Sequence, residues 1–279
     1  MKNEQYEVNY SFPTGEGDLS RFEEMALKRE PFTFVRFSDG EIEVLRNRKL
    51  VIADGVTEFR GNRFSNHFPE FDKKSFDPLR GKDIRRDLLS SALFRDLSYF
   101  KGIPTYHNGA VLDREFMLRL NGGFTSQMTF SDLFLNSNFI RAREQFFPRM
   151  VAAFSDVLVV CNWRCKLENY LSRGRIVQVP DNFFSSYLST LNSILSELKE
   201  APESALILSS ASSLSNILGH QLRLVRPDLT FIDIGTVLND CIGLPMKTRA
   251  YHKLNAPKTM REKFSAWCYR RHPEYKLKW

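Results

Sequence analysis

Asp39 and Glu41, one residue apart in the stretch FTFVRFSDGEIEVL (residues 32–45), stand directly behind an apolar run of strand length. Carboxylates in that position suit two kinds of work. One is structural: Asp39 caps a short helix over EIEVLRNRK, Glu41 sits near the positive end of its dipole, and together they contribute about 1 kcal/mol. The other is a divalent cation, since Mg²⁺ and Mn²⁺ take one or two protein carboxylates and complete their shell with substrate phosphates and water. Inside a helix, residues i and i+2 point about 200° apart. The pair can therefore share an ion only if Asp39 lies outside the helix and Gly40 permits a sharp turn. Asp-Gly is also a hairpin signal, but EIEVLRNRK reads at least as well as a short helix as it does as a second strand. On the cation reading, the pair predicts a diphosphate ligand.

Other polar residues invite similar weighing. The serine-rich stretch SSASSLSN (residues 209–216) at a strand-to-helix junction can aim amides and the hydroxyls of Ser210 and Ser212 at phosphate oxygens, or simply supply an N-cap. It lacks the spacing of a P-loop or of a dinucleotide-binding turn, so neither an ATPase nor a dehydrogenase is supported. His67, His107, His220, His252 and His272 show no metal spacing and read as structural or exposed. Cys161, Cys165, Cys241 and Cys268 are too few and too irregular for a disulfide framework or a four-cysteine zinc site, and are expected to be reduced and mostly buried.

The elements that must position these residues alternate. Strand-length apolar runs are FTFVRF, GIPTYH, DVLVVCNW, RIVQVP, SALILSS and LTFIDIG; between them lie the helical patterns DIRRDLLSSALFRDL, NFIRAREQFFPRMVAAF, CKLENYLS, FFSSYLSTLNSILSELK and SLSNILGHQLRLV. DLSRFEEMALKRE adds a helix ahead of the first strand, with a capping box at Ser20 and Glu23. Strands separated by helices imply crossovers and a mainly parallel sheet covered on both faces, an α/β fold in a single domain. In such sheets ligands bind beyond the carboxyl ends of the strands. The stretches placed there are Ser38 to Glu41, Asn162 to Arg164, Pro180 to Phe183, Ser209 to Ser213 and Asp233 to Thr236.

With these segments in view, VRFSDGEIEVL resembles the Arg-Phe-Gly-Asp-Gly-Glu signature of the GT-D type glycosyltransferases, a bacterial family long designated a domain of unknown function. RIVQVPDNFFSSYLSTLNSI is similar to that family's strand, Pro-x-Asn-aromatic loop and helix, and LTFIDIGTVLND to its Asp-Ile-Gly strand end. The resemblance runs from about residue 30 to 240 and implies a Rossmann-like domain that moves a sugar from a nucleotide donor, usually a UDP-hexose. Asp39 and Glu41 match the DxE motif that would hold Mn²⁺ (or Mg²⁺) against the donor diphosphate. Arg36 and Asn182 match residues expected to contact the nucleotide-sugar, and Asp233 and Gly235 match the Asp-Ile-Gly element. Two departures stand out: Ser38 replaces a Gly, and Thr236 stands where the family often has His, which leaves Asp240 as a substitute. Asp233, Asp240 and Asp181 are the candidates for a base that deprotonates the acceptor. The family setting is surface-glycan synthesis, with a glycan, glycolipid or glycoprotein acceptor.

Charge divides the chain unevenly. Residues 247–279 carry a net +8 and the other 246 residues a net −1. We therefore expect an α/β domain over 1–246 followed by a basic extension over 247–279, whose mixed aromatic and basic composition suits an anionic membrane surface or an acidic acceptor. No nucleic-acid-binding motif is visible. The N-terminus lacks the pattern of a signal peptide, so a cytoplasmic protein, peripheral at the inner face of the membrane, is the expectation. A metal-dependent phosphoesterase would want more carboxylates or histidines for a second ion; a non-catalytic nucleotide- or glycan-binding module is the other alternative.

Overall fold

The computed structural model describes residues 16–53, 56–64, 72–104, 111–135 and 138–244. His67, His107, His252, His272, Cys268 and the basic segment 247–279 lie outside the described residues. Seven strands form one parallel sheet: β1 (Thr33–Arg36), β6 (Tyr99–Ile103), β7 (Met128–Phe130), β8 (Val157–Asn162), β9 (Arg175–Val179), β10 (Leu206–Ser209) and β11 (Thr230–Asp233). Their order is β7-β6-β1-β11-β10-β8-β9, and every pairing is parallel. The chain leaves β1 toward β6 and returns on its other side at β11, so the strand order reverses at β1.

Central strands read as unbroken apolar runs because both faces are buried. Val35 and Phe37 of the first run enter one core with Leu158, Val160, Ile207 and Phe231. Phe32 and Phe34 enter the other with Val157, Val159, Leu208 and Ile232. The first core is closed by α2 (Asp39–Leu45), α3 (Lys82–Leu93), α7 (Tyr187–Lys199) and α8 (Ser213–Val225). The second is closed by α1 (Glu16–Leu27) and by a helical stretch made of α5 (Phe139–Arg141), a π-helical turn (Ala142–Phe146) and α6 (Phe147–Ala153). α4 (Val111–Leu120) lies between β6 and β7. Helix α8 sits close on the sheet because Gly219 leaves room; a Cβ there would come within 2.7 Å of Val35 and 3.0 Å of Phe231.

Several expectations need correction. A four-stranded antiparallel sheet, β4 (Asn62–Phe64), β3 (Val56–Phe59), β2 (Leu50–Ala53) and β5 (Lys74–Phe76), follows α2 and was not foreseen. It shares the first core through Leu50 and Phe76. CKLENYLS forms only a 3-10 turn, Asn169–Leu171, because its segment is pinned to the chain after β11 by Lys166 N–H to Ile242 O and Glu168 N–H to Cys241 O. Helix α1 is already running at Glu16, so Ser20 is no cap. Its hydroxyl instead accepts from Arg141, and Glu23 accepts from Arg149 at 2.7 Å. Cys161, Cys165 and Cys241 are free and buried, as expected.

Candidate active site

A cleft of about 320 Å³ opens at the carboxyl ends of the parallel strands. The loops after β1, β8, β9, β10 and β11 all contribute to its lining. Arg36, Asp39, Glu41, Asn182, Ser210 and Ser212 line it together, though they span most of the described chain. Among the described residues no helix is long and apolar enough to cross a membrane.

The first turn of α2 sets the two carboxylates. Ser38, not Asp39, is the N-cap, and Glu41 reaches back so that its Oε2 accepts the Ser38 N–H at 3.1 Å. Glu41 is buried, and its Oε1 also accepts from Ser212 Oγ at 3.2 Å and Ser213 Oγ at 3.3 Å. Asp39 is the first residue of the helix rather than outside it; it is exposed, and its Oδ1 accepts the Gly40 N–H at 2.9 Å. The carboxylates thus share the cleft in different states, Glu41 as a tether between two loops and Asp39 as an open oxygen donor.

Behind this wall, Asp233 is buried under Arg36. Its Oδ1 accepts Arg36 Nη2 at 3.3 Å and the Gly235 N–H at 3.0 Å. Arg36 also donates to Ser131 O at 3.2 Å, and its own carbonyl accepts from Asn216. Burial drives the Asp233 carboxyl up to about 6; the Arg36 charge opposes this, the Glu41 charge adds to it, and the Gly235 amide and the Arg36 hydrogen bond oppose it again. Gly235 has φ +52°, and a Cβ there would stand 1.8 Å from Arg36 Nη2. The Asp-Ile-Gly end of β11 is therefore the seat into which Arg36 fits. Asp233 does not itself line the cleft; Gly235 and Thr236 do.

The remaining base candidates are otherwise engaged. Asp240 pairs with Arg143 and is not among the lining residues, whereas its neighbour Asn239 is. Asp181 accepts from Asn162 at 2.7 Å, from Trp163 Nε1 at 3.3 Å and from Arg164. Burial raises its carboxyl, but the Arg164, Asn162 and Trp163 hydrogen bonds outweigh that and hold it below the ordinary range. This fixes Asn162 and Pro180 at the cleft edge rather than presenting an open base.

The unforeseen sheet supplies what the motifs did not. Asp72, Lys73 and Lys74 line the wall opposite the serine loop. Lys74 Nζ donates to Ser212 Oγ at 3.1 Å, and the Ser75 N–H donates to Asn182 Oδ1 at 2.8 Å. Asn182 (φ +43°) and Ser212 (φ +52°) both adopt left-handed backbone angles, and β5 bridges the two. The only sequence signal for this wall is the pair of adjacent lysines in DKKSF, which carries no spacing of its own.

A divalent cation was expected from the resemblance, and the donor set can be tested against one. Among the described residues no three His, Cys, Asp or Glu side chains are grouped to hold a metal. With Asp39 at the first helical position rather than outside the helix, the pair does not meet the geometry expected for a shared ion; Asp39 keeps spare oxygens, Glu41 few, and Asp72 adds a third carboxylate to the lining. The spare oxygens fit a hard cation arriving with a diphosphate and taking phosphate and water as its other ligands.

No protein-family model matches the chain, and no curated protein matches it. Among solved structures it is similar to one described as domain of unknown function 1792, at 16% identity, covering 88% of this chain and 96% of that one, with TM-score 0.50. It is also similar to a protein from Streptococcus sanguinis described as a new glycosyltransferase of that domain, at 18% identity, 78% and 80% coverage and TM-score 0.47. A third structure, described as showing that this domain has a distinct glycosyltransferase fold, is 16% identical, with 79% and 82% coverage and TM-score 0.45. The first of these likenesses shows a shared α/β fold.

Proposed function

We propose that this chain is a glycosyltransferase that moves a sugar from a nucleotide donor, a UDP-sugar by the resemblance of its motifs, to a hydroxyl of a glycan or lipid-linked acceptor, and that its basic segment engages the anionic part of that acceptor or the membrane carrying it. The carrying observation is the meeting, in one cleft at the carboxyl ends of a parallel sheet, of the Asp39–Glu41 pair with Arg36, Lys74 and two serine hydroxyls. The charged residues of the lining, Arg36, Lys73, Lys74, Asp39, Glu41 and Asp72, sum to zero. A diphosphate entering such a cleft is not neutralised by the protein alone, which favours a donor accompanied by Mn²⁺ or Mg²⁺.

When bound, such a cation would stabilise charge on the departing diphosphate. Asp39, with open carboxylate oxygens, is the residue that would hold it, and Glu41, tied to Ser38, Ser212 and Ser213, is the lesser donor. Arg36, locked by Asp233 and Ser131, presents a guanidinium whose fork matches phosphate oxygens. Asp233 acts through Arg36 rather than on the acceptor, because it lies beneath that side chain. Asn182 orients the loop after β9 through its bond to Ser75 N–H. Ser210, whose hydroxyl donates to Gly235 O at 2.7 Å, holds the loops after β10 and β11 at a fixed spacing.

Asp39→Asn is the discriminating variant, since Asp39 is exposed and its hydrogen bond is to the adjacent Gly40 N–H, whereas Glu41→Gln would disturb two contacts between loops and one to its own helix start. With a panel of nucleotide sugars and candidate acceptors, the wild-type chain should release free nucleoside diphosphate only when acceptor and Mn²⁺ are both present. Asp39→Asn should lose that dependence on metal and fall in rate by about a hundredfold or more, in line with loss of preorganised charge stabilisation. Equal turnover in chelator and in Mn²⁺ would defeat the metal reading. Release of inorganic phosphate irrespective of sugar would point to a phosphoesterase instead.

A further inference from the structure

Strand β5 delivers Lys74 to the start of helix α8. Its Nζ donates to Ser212 Oγ at 3.1 Å, and no carboxylate oxygen of a described residue lies within 4.0 Å of it. The ammonium of lysine has three donors and is strongly hydrated, so one neutral hydroxyl leaves most of its hydrogen-bonding capacity and all of its charge available. Arg36, the neighbouring cation, is by contrast paired with Asp233.

Two further features favour an anion at the same spot. Ser212 precedes the thirteen-residue helix Ser213–Val225, whose first turn contains no acidic residue, so the positive end of the helix dipole lies at this wall, with the Leu214 and Ser215 amides already bonded to Ala211 O and Ser212 O. Ser212 itself holds φ +52° and ψ −141°, backbone angles that residues with a side chain rarely adopt. That backbone puts its hydroxyl between Lys74 and Glu41, donating to Glu41 Oε1 at 3.2 Å while accepting from Lys74. The next residue on β5 is anchored across the cleft by Ser75 N–H to Asn182 Oδ1, which fixes the backbone from which Lys74 reaches.

We propose that Lys74, with the Ser212 hydroxyl and the positive end of the helix Ser213–Val225, seats the phosphate bonded to the transferred sugar and stabilises it as it leaves. The inference rests on the glycosyl-transfer reading and adds a residue to it. In transfer, the bond between the anomeric carbon and the phosphate oxygen breaks with its electron pair on that oxygen. The acceptor oxygen forms the new bond to the anomeric carbon, and the acceptor's proton is released to water. The nucleoside diphosphate gains a negative charge at the moment of cleavage, and a preorganised ammonium there counters it without reorganising. Lys74 thereby makes the small antiparallel sheet part of the reacting site.

The test uses the full chain and inorganic pyrophosphate in chelator, which removes any contribution from a metal held by Asp39 and Glu41. Calorimetric titration should show binding to the wild type and a loss of about tenfold or more in Lys74→Met, the range of a hydrogen bond to a charged group. Lys74→Gln, which keeps a donor for Ser212 but no charge, should lose as much, and Lys74→Arg should keep most of the affinity. Uridine, which has no phosphate, should distinguish none of them. Equal pyrophosphate affinity in wild type and Lys74→Gln, or no pyrophosphate binding by the wild type, would overturn the proposal. Charge-dependent pyrophosphate binding with no sugar transfer from any donor would leave the anion seat standing and remove the glycosyltransferase reading, so the two fail separately.

Discussion

Asp233 shows how one residue can be recognised in a sequence while its partners cannot. The Asp-Ile-Gly segment draws attention because it resembles a family motif, and a carboxylate at a strand end suggests a ligand or a base. In three dimensions the motif is a seat for Arg36: Asp233 accepts its guanidinium, and Gly235 has no Cβ because Arg36 Nη2 occupies that space. Asp39 and Ser38 were likewise legible as a helix start but exchanged as to which one caps it, since cap geometry is decided by a backbone turn that residue types alone do not specify. Burial of Asp233 has a measurable consequence. Its carboxyl lies at about 6 when folded, against an ordinary 3.8. Below the lower value both states are protonated and nothing is lost. Between the two, the folded state keeps a proton that the unfolded state has released, so stability falls as pH rises, and above 6 the full cost of about 3 kcal/mol is in place. Asp233→Asn cannot ionise. Denaturant unfolding from pH 3 to pH 7 should therefore show the variant gaining about 3 kcal/mol relative to wild type across that range, on top of a constant loss from the unpaired Arg36. A stability difference that stays flat with pH would contradict the buried, ionising Asp233.

Elements were legible in proportion to their length and burial. The central strands β1, β8, β10 and β11 stand out because both faces are apolar, whereas the edge strand β7, three residues long, was missed; SLSNILGHQLRLV matches helix α8 over Ser213–Val225 because its apolar stripe repeats over more than three turns. The antiparallel sheet was missed because its strands are three or four residues long and present few buried side chains each, Leu50, Thr57 and Phe76 among them. Such strands produce too few alternations to register as a period. Phe76 is the test of whether that sheet belongs to the body of the protein. Its ring is buried, lies 6.0 Å from Phe184, and fills the space that a Cβ on Gly81 would enter at 2.2 Å. Phe76→Ala should cost about 3–5 kcal/mol, the usual range for emptying a fully buried aromatic site, read as a lower denaturant midpoint. Because Lys74 is two residues away on the same strand, the variant should also weaken pyrophosphate binding. A change in stability below about 1 kcal/mol would mean that the small sheet is loosely attached and packs as an appendage.

At the scale of the whole chain, composition says something that no single contact does: residues 1–246 are nearly neutral at −1, while 247–279 carry +8. Leu244, the last described residue before this segment, lines the cleft. A segment of that charge is expected to attract anionic molecules. On the reading proposed above, these are the acceptor's anionic groups or the membrane surface that carries it. Each basic residue near an anionic surface contributes about 1 kcal/mol, and salt attenuates this over a Debye length of about 10 Å at 0.1 M. The full chain should therefore co-sediment with phosphatidylserine-containing vesicles at low salt and much less at moderate salt. Replacing Arg270, Arg271, Lys276 and Lys278 with Gln in the full chain should reduce sedimentation and raise KM for a lipid-linked acceptor, while leaving pyrophosphate affinity unchanged because Lys74 lies in the cleft itself. Equal sedimentation of wild type and the neutralised variant would rule out the membrane as the partner, and an unchanged KM as well would leave the segment with no part in presenting acceptor to the cleft.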